Sequence, residues 1–380
     1  FKQSPSDPVI FKWSSKHSNG AYDDDDDIVV GLYVDDMVVA HSQTPNGIKG
    51  FEWFKSLFLK KFNGTHEGLL SWFLGVAIDQ EHNEQGRNII TINQTKYIKD
   101  CVQKYFPNSE YHSFNHSMPA TKLTFDDLRE AESAEEKEYM KTIPYLQIVG
   151  SILYACVMTR VDCMYYISRL CSFMSNPSRK CFRAAQGLLL YMSGTCNLGL
   201  RYGTQLKPMP HYFSAFAKEI DGNIGAHAFS DSSWGPPNPY AAYSIFVGGG
   251  PVCWLSRKIK AKLSISGDSS CETEYAALAS VSKEINYIRG VFEDMGVRIH
   301  GQIYIGVDND ATIKTALDVG VTKRNMHWER LIHYARESIK LRRTKPIWVD
   351  TKHQMADFLT KVVDVTAFRT CRDYHMVHIQ

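Results

Sequence analysis

At 380 residues, with 44% hydrophobic and 22% charged side chains, the chain is long enough for two or three domains that each bury a core. No apolar run approaches the roughly 20 residues that span a bilayer, and no basic start followed by an apolar stretch marks a secretion signal, so no membrane partner is predicted. Nine cysteines without a C-x-x-C pair fit neither a disulfide framework nor a zinc site; they predict a reducing compartment. A first residue of Phe1 predicts a segment excised from something longer.

In chain order, residues 28–33 and 37–40 are short β-branched runs flanking Val34, Asp35 and Asp36, the pattern of a hairpin with two carboxylates at its tip. The acidic run Asp23 to Asp27 beside it predicts a solvated loop, because consecutive like charges disfavour order. Phe51, Phe54, Phe58 and Phe62 recur at helical spacing. Residues 72–78 and 89–92 read as strands, and residues 96–106 as a helix. The region 108–202 is mainly helical. Tyr145, Ile148, Val149, Ile152, Leu153 and Cys156 form one apolar stripe, and helices over 165–174 and 183–192 are split by Asn176-Pro177.

From about Pro210 the pattern changes. Strands are predicted over 226–230, 243–247 and 252–255, then a helix over 272–293, a strand over 302–307, helices over 311–317 and 326–340, a strand over 347–349 and a helix near Met355. That succession suits a sheet with helices on its faces. Four carboxylates stand where these elements begin or end: Asp231 after the first strand, Glu274 early in the long helix, Asp308 after residues 302–307, and Asp357 opening the final helix. A lone aspartate after a strand is more often a turn former or a helix cap. Four brought together repel one another and bind divalent cations, and oxygen-only ligands favour Mg²⁺ or Mn²⁺. Two such ions about 4 Å apart carry phosphodiester hydrolysis.

The neighbours of these residues resemble the ribonuclease H domain of copia-type retroelements. The likeness runs through Phe229-Ser230-Asp231-Ser232-Ser233-Trp234-Gly235, Val247 to Trp254, Cys271-Glu272-Thr273-Glu274-Tyr275, Asp308-Asn309 and Gln354-Met355-Ala356-Asp357-Phe358-Leu359-Thr360-Lys361. It implies that Asp231, Glu274, Asp308 and Asp357 hold two metal ions. Upstream, Tyr33-Val34-Asp35-Asp36 is similar to the Y-V-D-D box of reverse transcriptases. Trp72-Phe73-Leu74-Gly75, Gln94-x-Lys96-Tyr97, Val149-Gly150-Ser151, Thr159-Arg160-x-Asp162 and Ala184-Ala185 follow in the family's order. The chain departs from the pattern at Ser233, at Asn238 to Ala242, in a longer stretch before Glu272, and at Cys181.

The resemblance implies α/β and α+β architecture: a partial reverse-transcriptase palm over 1–107, a helical thumb or connection over 108–209, and a ribonuclease H-like domain over 210–380 with a mixed sheet and flanking helices. It implies metal-dependent hydrolysis of the RNA strand of RNA–DNA hybrids. The resemblance also implies that Asp35 and Asp36 are the metal-binding pair of an incomplete polymerase site, whose missing aspartate lies in an upstream reverse transcriptase segment, the implied protein partner. The stretch 314–345 holds nine Lys or Arg against three acidic residues; it suits either a polyanion or a solvated helix face. Within it Lys323, Arg324, Arg342, Arg343 and Lys345 are candidates for gripping the hybrid. His327 and His353 are candidates for substrate contact and proton transfer, set against plain packing roles. Trp234, Trp254 and Tyr275 are read as core. The implied setting is cytoplasmic, within a virus-like particle, with the nucleus as a second site. Two other functions compete: a decayed remnant that binds nucleic acid without cutting it, and a structural or interaction module.

Overall fold

The computed structural model describes all residues except 17–21, 83–87, 108–117, 120–124, 126, 204–210, 223, 234–238, 260–269, 319–328 and 380. The chain divides into two units, residues 1–70 with 284–300, and residues 71–283 with 301–380. The contacts therefore do not part at residue 107 or 209, where the sequence suggested boundaries.

The first unit is an antiparallel sheet in the order β1 (Lys2–Gln3), β2 (Ile10–Lys16), β3 (Tyr22–Tyr33), β4 (Asp36–His41). The predicted hairpin is β3–β4, with Tyr33 paired to Asp36 and Val34 at φ 53° in the turn. The aspartate run is not a loop. It lies within β3, where Asp23 pairs with Ser15 of β2 beyond a shift in register, and Asp27 forms an ion pair with Lys12. The side chains of Asp23 to Asp26 lie outside the described residues. Helix α1 (Pro45–Lys61) packs on the sheet. Thr44 caps it by accepting from Gly47 N at 3.0 Å, with Pro45 in the first turn, where its missing N–H costs nothing. The end of the longest helix also belongs here: Asp294 accepts from Ser4 Oγ at 2.6 Å and from Ser6 N at 3.0 Å.

The second unit holds two sheets and a helical layer. One sheet runs β14–β8–β7–β6–β5, built from β5 (Trp72–Phe73), β6 (Val76–His82), β7 (Asn88–Asn93), β8 (Leu198–Tyr202) and β14 (Val377–His378). Residues 72–78 are thus not one strand. Leu74 (φ 49°) and Gly75 (φ 73°) make a two-residue turn with both central φ positive, the geometry a tight hairpin needs. The helices are α2 (Thr95–Tyr105), α3 (Ala134–Lys141), α4 (Tyr145–Met158), α5 (Met164–Cys171) and α6 (Arg179–Gly194), then the short α7 (His211–Ser214) and α8 (Ala217–Gly222). The apolar stripe predicted for α4 is its buried face: Tyr145, Ile148, Val149, Ile152 and Cys156 all lie in the core.

The other sheet is five-stranded, in the order β11 (Gly250–Lys258), β10 (Tyr240–Val247), β9 (His227–Ser233), β12 (Ile303–Val307), β13 (Thr344–Trp348). The first three strands are antiparallel, and β9–β12 and β12–β13 are parallel. Helices α9 (Ser270–Asp294), α10 (Asp310–Leu317), α11 (Glu329–Lys340) and α12 (Val365–His375) accompany it. Gly306 of β12 lets the neighbouring strand approach, since a Cβ there would meet the Phe229 ring at 2.8 Å. No helix opens at Asp357. The chain makes two tight 3-10 turns, Thr351–His353 and Asp357–Leu359, closed by short-range bonds such as Thr360 N to Asp357 O at 3.1 Å. The true last helix starts at the Asp364 cap.

A single apolar cluster runs from Ile98 through the helices to Phe229, Phe246, Phe358 and Met376. Trp254 Nε1 donates to Cys156 O at 2.9 Å, and Phe368 stands edge-on to Tyr166 and Tyr191. The helical region and the C-terminal sheet therefore share one core. No single helix among the described residues is long and apolar enough to cross a membrane. All nine cysteines are free.

Candidate metal centre

The central strand β9 is buried along most of its length and carries Asp231 as its fifth residue, paired across to Ala242. The strand thus continues past Ser230, where the sequence suggested it would stop. Parallel to it, β12 ends at Val307, and Asp308 follows directly. Asn309 then caps α10 by accepting from Thr312 N at 3.0 Å, which turns the chain and leaves Asp308 at the sheet edge. Asp357 arrives from the loop after β13. Gln354, itself buried, ties that loop down by donating from Nε2 to Ser230 O at 3.0 Å and to Gly306 O at 3.3 Å. Three separate elements thereby bring ligand oxygens of Asp231, Asp308 and Asp357 within 4.8 Å of one another.

Glu274 reaches the same place from α9. Its Oε1 accepts from Ser232 N, next to Asp231, at 3.1 Å, while its buried Oε2 has no hydrogen-bond partner. Thr360 donates to Asp231 Oδ2, Thr351 donates to Asp308 Oδ2 at 3.0 Å, and Lys361 Nζ lies 3.0 Å from Asp357 Oδ1. Burial, and then the charges of Glu274 and Asp357, push the Asp231 carboxyl well above the ordinary carboxylate range. Burial and Asp308 push Glu274 up to about 8, and burial raises Asp357. These groups are short of positive charge. A hard dication with oxygen ligands supplies it, and the unpartnered Glu274 oxygen offers a lone pair, so the residues present fit Mg²⁺ or Mn²⁺.

Three of the four predicted carboxylates therefore meet, and Glu274 bonds to the strand residue next to Asp231. The structure does not do the same for the hairpin pair: Asp35 and Asp36 are exposed, and no metal-sized grouping with a third ligand forms around them among the described residues. Lys323, Arg324, His327 and Trp234 lie outside the described residues. Arg342 and Arg343 are exposed just before β13, and Lys345 pairs with Tyr304. That puts these three toward the opposite end of the strands from Asp308, roughly 13 Å along β12 for Lys345 at ~3.3 Å per residue. Lys345 Nζ lies 5.0 Å from the centre of the Phe216 ring, which stacks on Tyr304. His353 packs edge-on to Tyr212. Tyr275 is fully buried. Sequence reasoning passed over Gln354, Thr360 and Lys361 as mere neighbours of Asp357; their spacing from it was the available signal.

The chain thus combines a four-stranded antiparallel sheet with a carboxylate-tipped hairpin and a mixed five-stranded sheet with carboxylates from β9, α9, β12 and the loop after β13, a mixed α/β architecture. Residues 14–114 match the reverse transcriptase (RNA-dependent DNA polymerase) family. The chain is 25% identical over 358 residues to the retrovirus-related Pol polyprotein from transposon TNT 1-94 of Nicotiana tabacum, a match covering 92% of this chain and 24% of that protein. It is 30% identical over 230 residues to the Pol polyprotein from transposon RE1 of Arabidopsis thaliana, covering 59% of this chain and 14% of that one. Ribonuclease H1 from Halobacterium salinarum aligns at 18% identity and a TM-score of 0.25, covering 33% of this chain and 86% of that chain. The chain is similar to these retrovirus-related Pol polyproteins, and spans a quarter or less of the length of the two plant proteins it matches.

Proposed function

We propose that the chain hydrolyses the RNA strand of RNA–DNA hybrids at the Asp231, Glu274, Asp308 and Asp357 cluster. The observation that carries the reading is the convergence of three carboxylates from separate elements within 4.8 Å, with a fourth beside them whose buried oxygen has no hydrogen-bond partner. Asp231, Glu274, Asp308 and Asp357 would hold the divalent ions, which would supply water activation and charge stabilisation for phosphodiester hydrolysis. The protein's part is to hold its carboxylates in place. The Gln354 anchor fixes the Asp357 loop, Ser232 N orients Glu274, and Thr360 and Thr351 orient Asp231 and Asp308. The hybrid is gripped through its backbone, with 2′-hydroxyls marking the strand to be cut. Arg342, Arg343 and Lys345 bind farther along it rather than at the scissile phosphate, and Lys323 and Arg324 are further candidates for gripping it.

In this reading the chain does not polymerise DNA by itself, because Asp35 and Asp36 gather no third ligand among the described residues. Template-directed nucleotide incorporation by the purified chain would refute that part. For the nuclease, labelled RNA–DNA hybrid is incubated with Mg²⁺ or Mn²⁺. The unmodified chain should cut the RNA strand, and Asp231→Asn and Asp308→Asn should reduce cutting to background. Hybrid binding without any cutting would support a decayed remnant instead. Neither binding nor cutting would support an interaction module.

A further inference from the structure

We propose that Lys361 is the resident counter-ion of this carboxylate cluster, a tethered cation that an incoming divalent ion must displace. The inference rests on the metal-binding reading above. Lys361 stands four residues after Asp357 on the turn that delivers it, and its backbone N–H donates to Asp357 O at 3.3 Å. Its Nζ is 3.0 Å from Asp357 Oδ1, the same carboxylate that comes within 4.8 Å of Asp231 and Asp308. Among the described residues no second Lys or Arg pairs with any of the four carboxylates. Four acidic groups packed together need positive charge to stay together, and in the metal-free chain this ammonium is the group placed to provide it.

The geometry also suits exchange. Asp357 is nearly enclosed, with its side chain 13% exposed, whereas the Lys361 side chain is 43% exposed. The anion is thus fixed while the cation has an open route to solvent. A lysine is a compact charge on a flexible four-carbon stem, without the planar fork that would lock an arginine onto a carboxylate. An ordinary helical-spacing surface pair would leave metal binding untouched. A counter-ion inside the cluster works against a dication through charge repulsion, so it lowers metal affinity while supporting the metal-free fold.

The test titrates Mn²⁺ into the whole chain without nucleic acid, reading free Mn²⁺ by electron paramagnetic resonance. Lys361→Met, which keeps the stem and removes the charge, should bind Mn²⁺ roughly tenfold more tightly. It should also unfold at lower urea without metal, a difference that shrinks at saturating Mn²⁺. Equal or weaker Mn²⁺ affinity in folded Lys361→Met overturns the proposal. No Mn²⁺ binding by either protein takes down the metal-site reading, and this inference with it. Should the methionine variant not fold, the unsubstituted protein gives its own answer. After reductive ¹³C-methylation, the Lys361 resonance, assigned with Lys361→Arg, should move to the position of a solvated lysine on adding Mg²⁺. A resonance that stays put in metal-bound protein overturns the proposal.

Discussion

Arg160 and Asp162 are both fully buried, and the core of the second unit is built around them. The guanidinium donates from Nε to Asp162 Oδ1 at 2.9 Å and from Nη2 to Asp162 Oδ2 at 2.8 Å. It also donates to Thr195 Oγ1 at 2.7 Å and Met192 O at 3.2 Å, while Tyr191 donates to Asp162 Oδ2 at 2.8 Å. Burial works against both charged forms, yet each partner overrides it: Asp162 holds the guanidinium above its ordinary value, and Arg160 holds the carboxyl below its own. Arg160→Met removes two charge-assisted bonds and leaves the buried carboxylate with the Tyr191 hydroxyl as its hydrogen-bond donor and the more distant charge of Arg372. Breaking a buried pair in this way costs about 3–5 kcal/mol. For a unit of this size that corresponds to a fall of roughly 10 °C in Tm. Asp162→Leu strands the guanidinium and should cost about as much. The double variant Arg160→Met/Asp162→Leu leaves no unpaired charge and should be less destabilised than the sum of the two by at least about 2 kcal/mol. Urea denaturation of the four proteins closes the cycle. Single variants within about 1 kcal/mol of the parent, or strictly additive effects, would refute the reasoning.

Other expectations concern the sheet that carries the cluster. His227 is buried between Gly225 O and Tyr374 Oη, both 2.8 Å from its ring nitrogens, and burial pushes its pKa down to about 4. The unfolded chain takes up this proton first, near pH 6.5. The contribution is therefore complete above pH 6.5 and is lost as pH falls toward 4, by up to about 3 kcal/mol. Urea midpoints across that window should fall less steeply for His227→Gln; parallel profiles would contradict the assignment. Gln354→Ala should cost about 1–3 kcal/mol, because it leaves Ser230 O and Gly306 O without their side-chain donor. It should also lower hybrid cleavage by loosening the Asp357 loop, and full activity at unchanged hybrid affinity would count against that positioning role. Asp35→Asn, far from any third ligand, should leave cleavage rates as they were.

Much of this architecture was legible because the signals are local. The Tyr33–Asp36 hairpin, the α4 stripe and the three antiparallel strands carry periodicity and turn residues of their own. Asp231 and Asp308 stood out because each sits on or beside a short apolar run with helix-starting residues nearby. What escaped depends on distant pairing. Nothing near Leu198 announces that β8 will join β7 and Val377–His378, and nothing in Trp254 indicates that it will bond Cys156. Hence the shared core of helices and C-terminal sheet was unreadable, and a boundary at residue 209 looked natural. The aspartate run looked like a loop because its charges were counted without the strand that continues through it from Ile28 to Tyr22. No local pattern announces that the parallel register of β12 and β13 sets Arg342, Arg343 and Lys345 at the opposite end of the strands from Asp308. Asp357 was expected at a helix start; Gln354 and two tight turns place it instead.

The most direct test of the central claim is end-group analysis of the products from an RNA–DNA hybrid with Mn²⁺. The expected result is cuts in the RNA strand alone, leaving 3′-hydroxyl and 5′-phosphate ends, with none made by Asp231→Asn. Cutting that survives Asp231→Asn, or fragments ending in 2′,3′-cyclic phosphate, would contradict a carboxylate-held metal centre as its source.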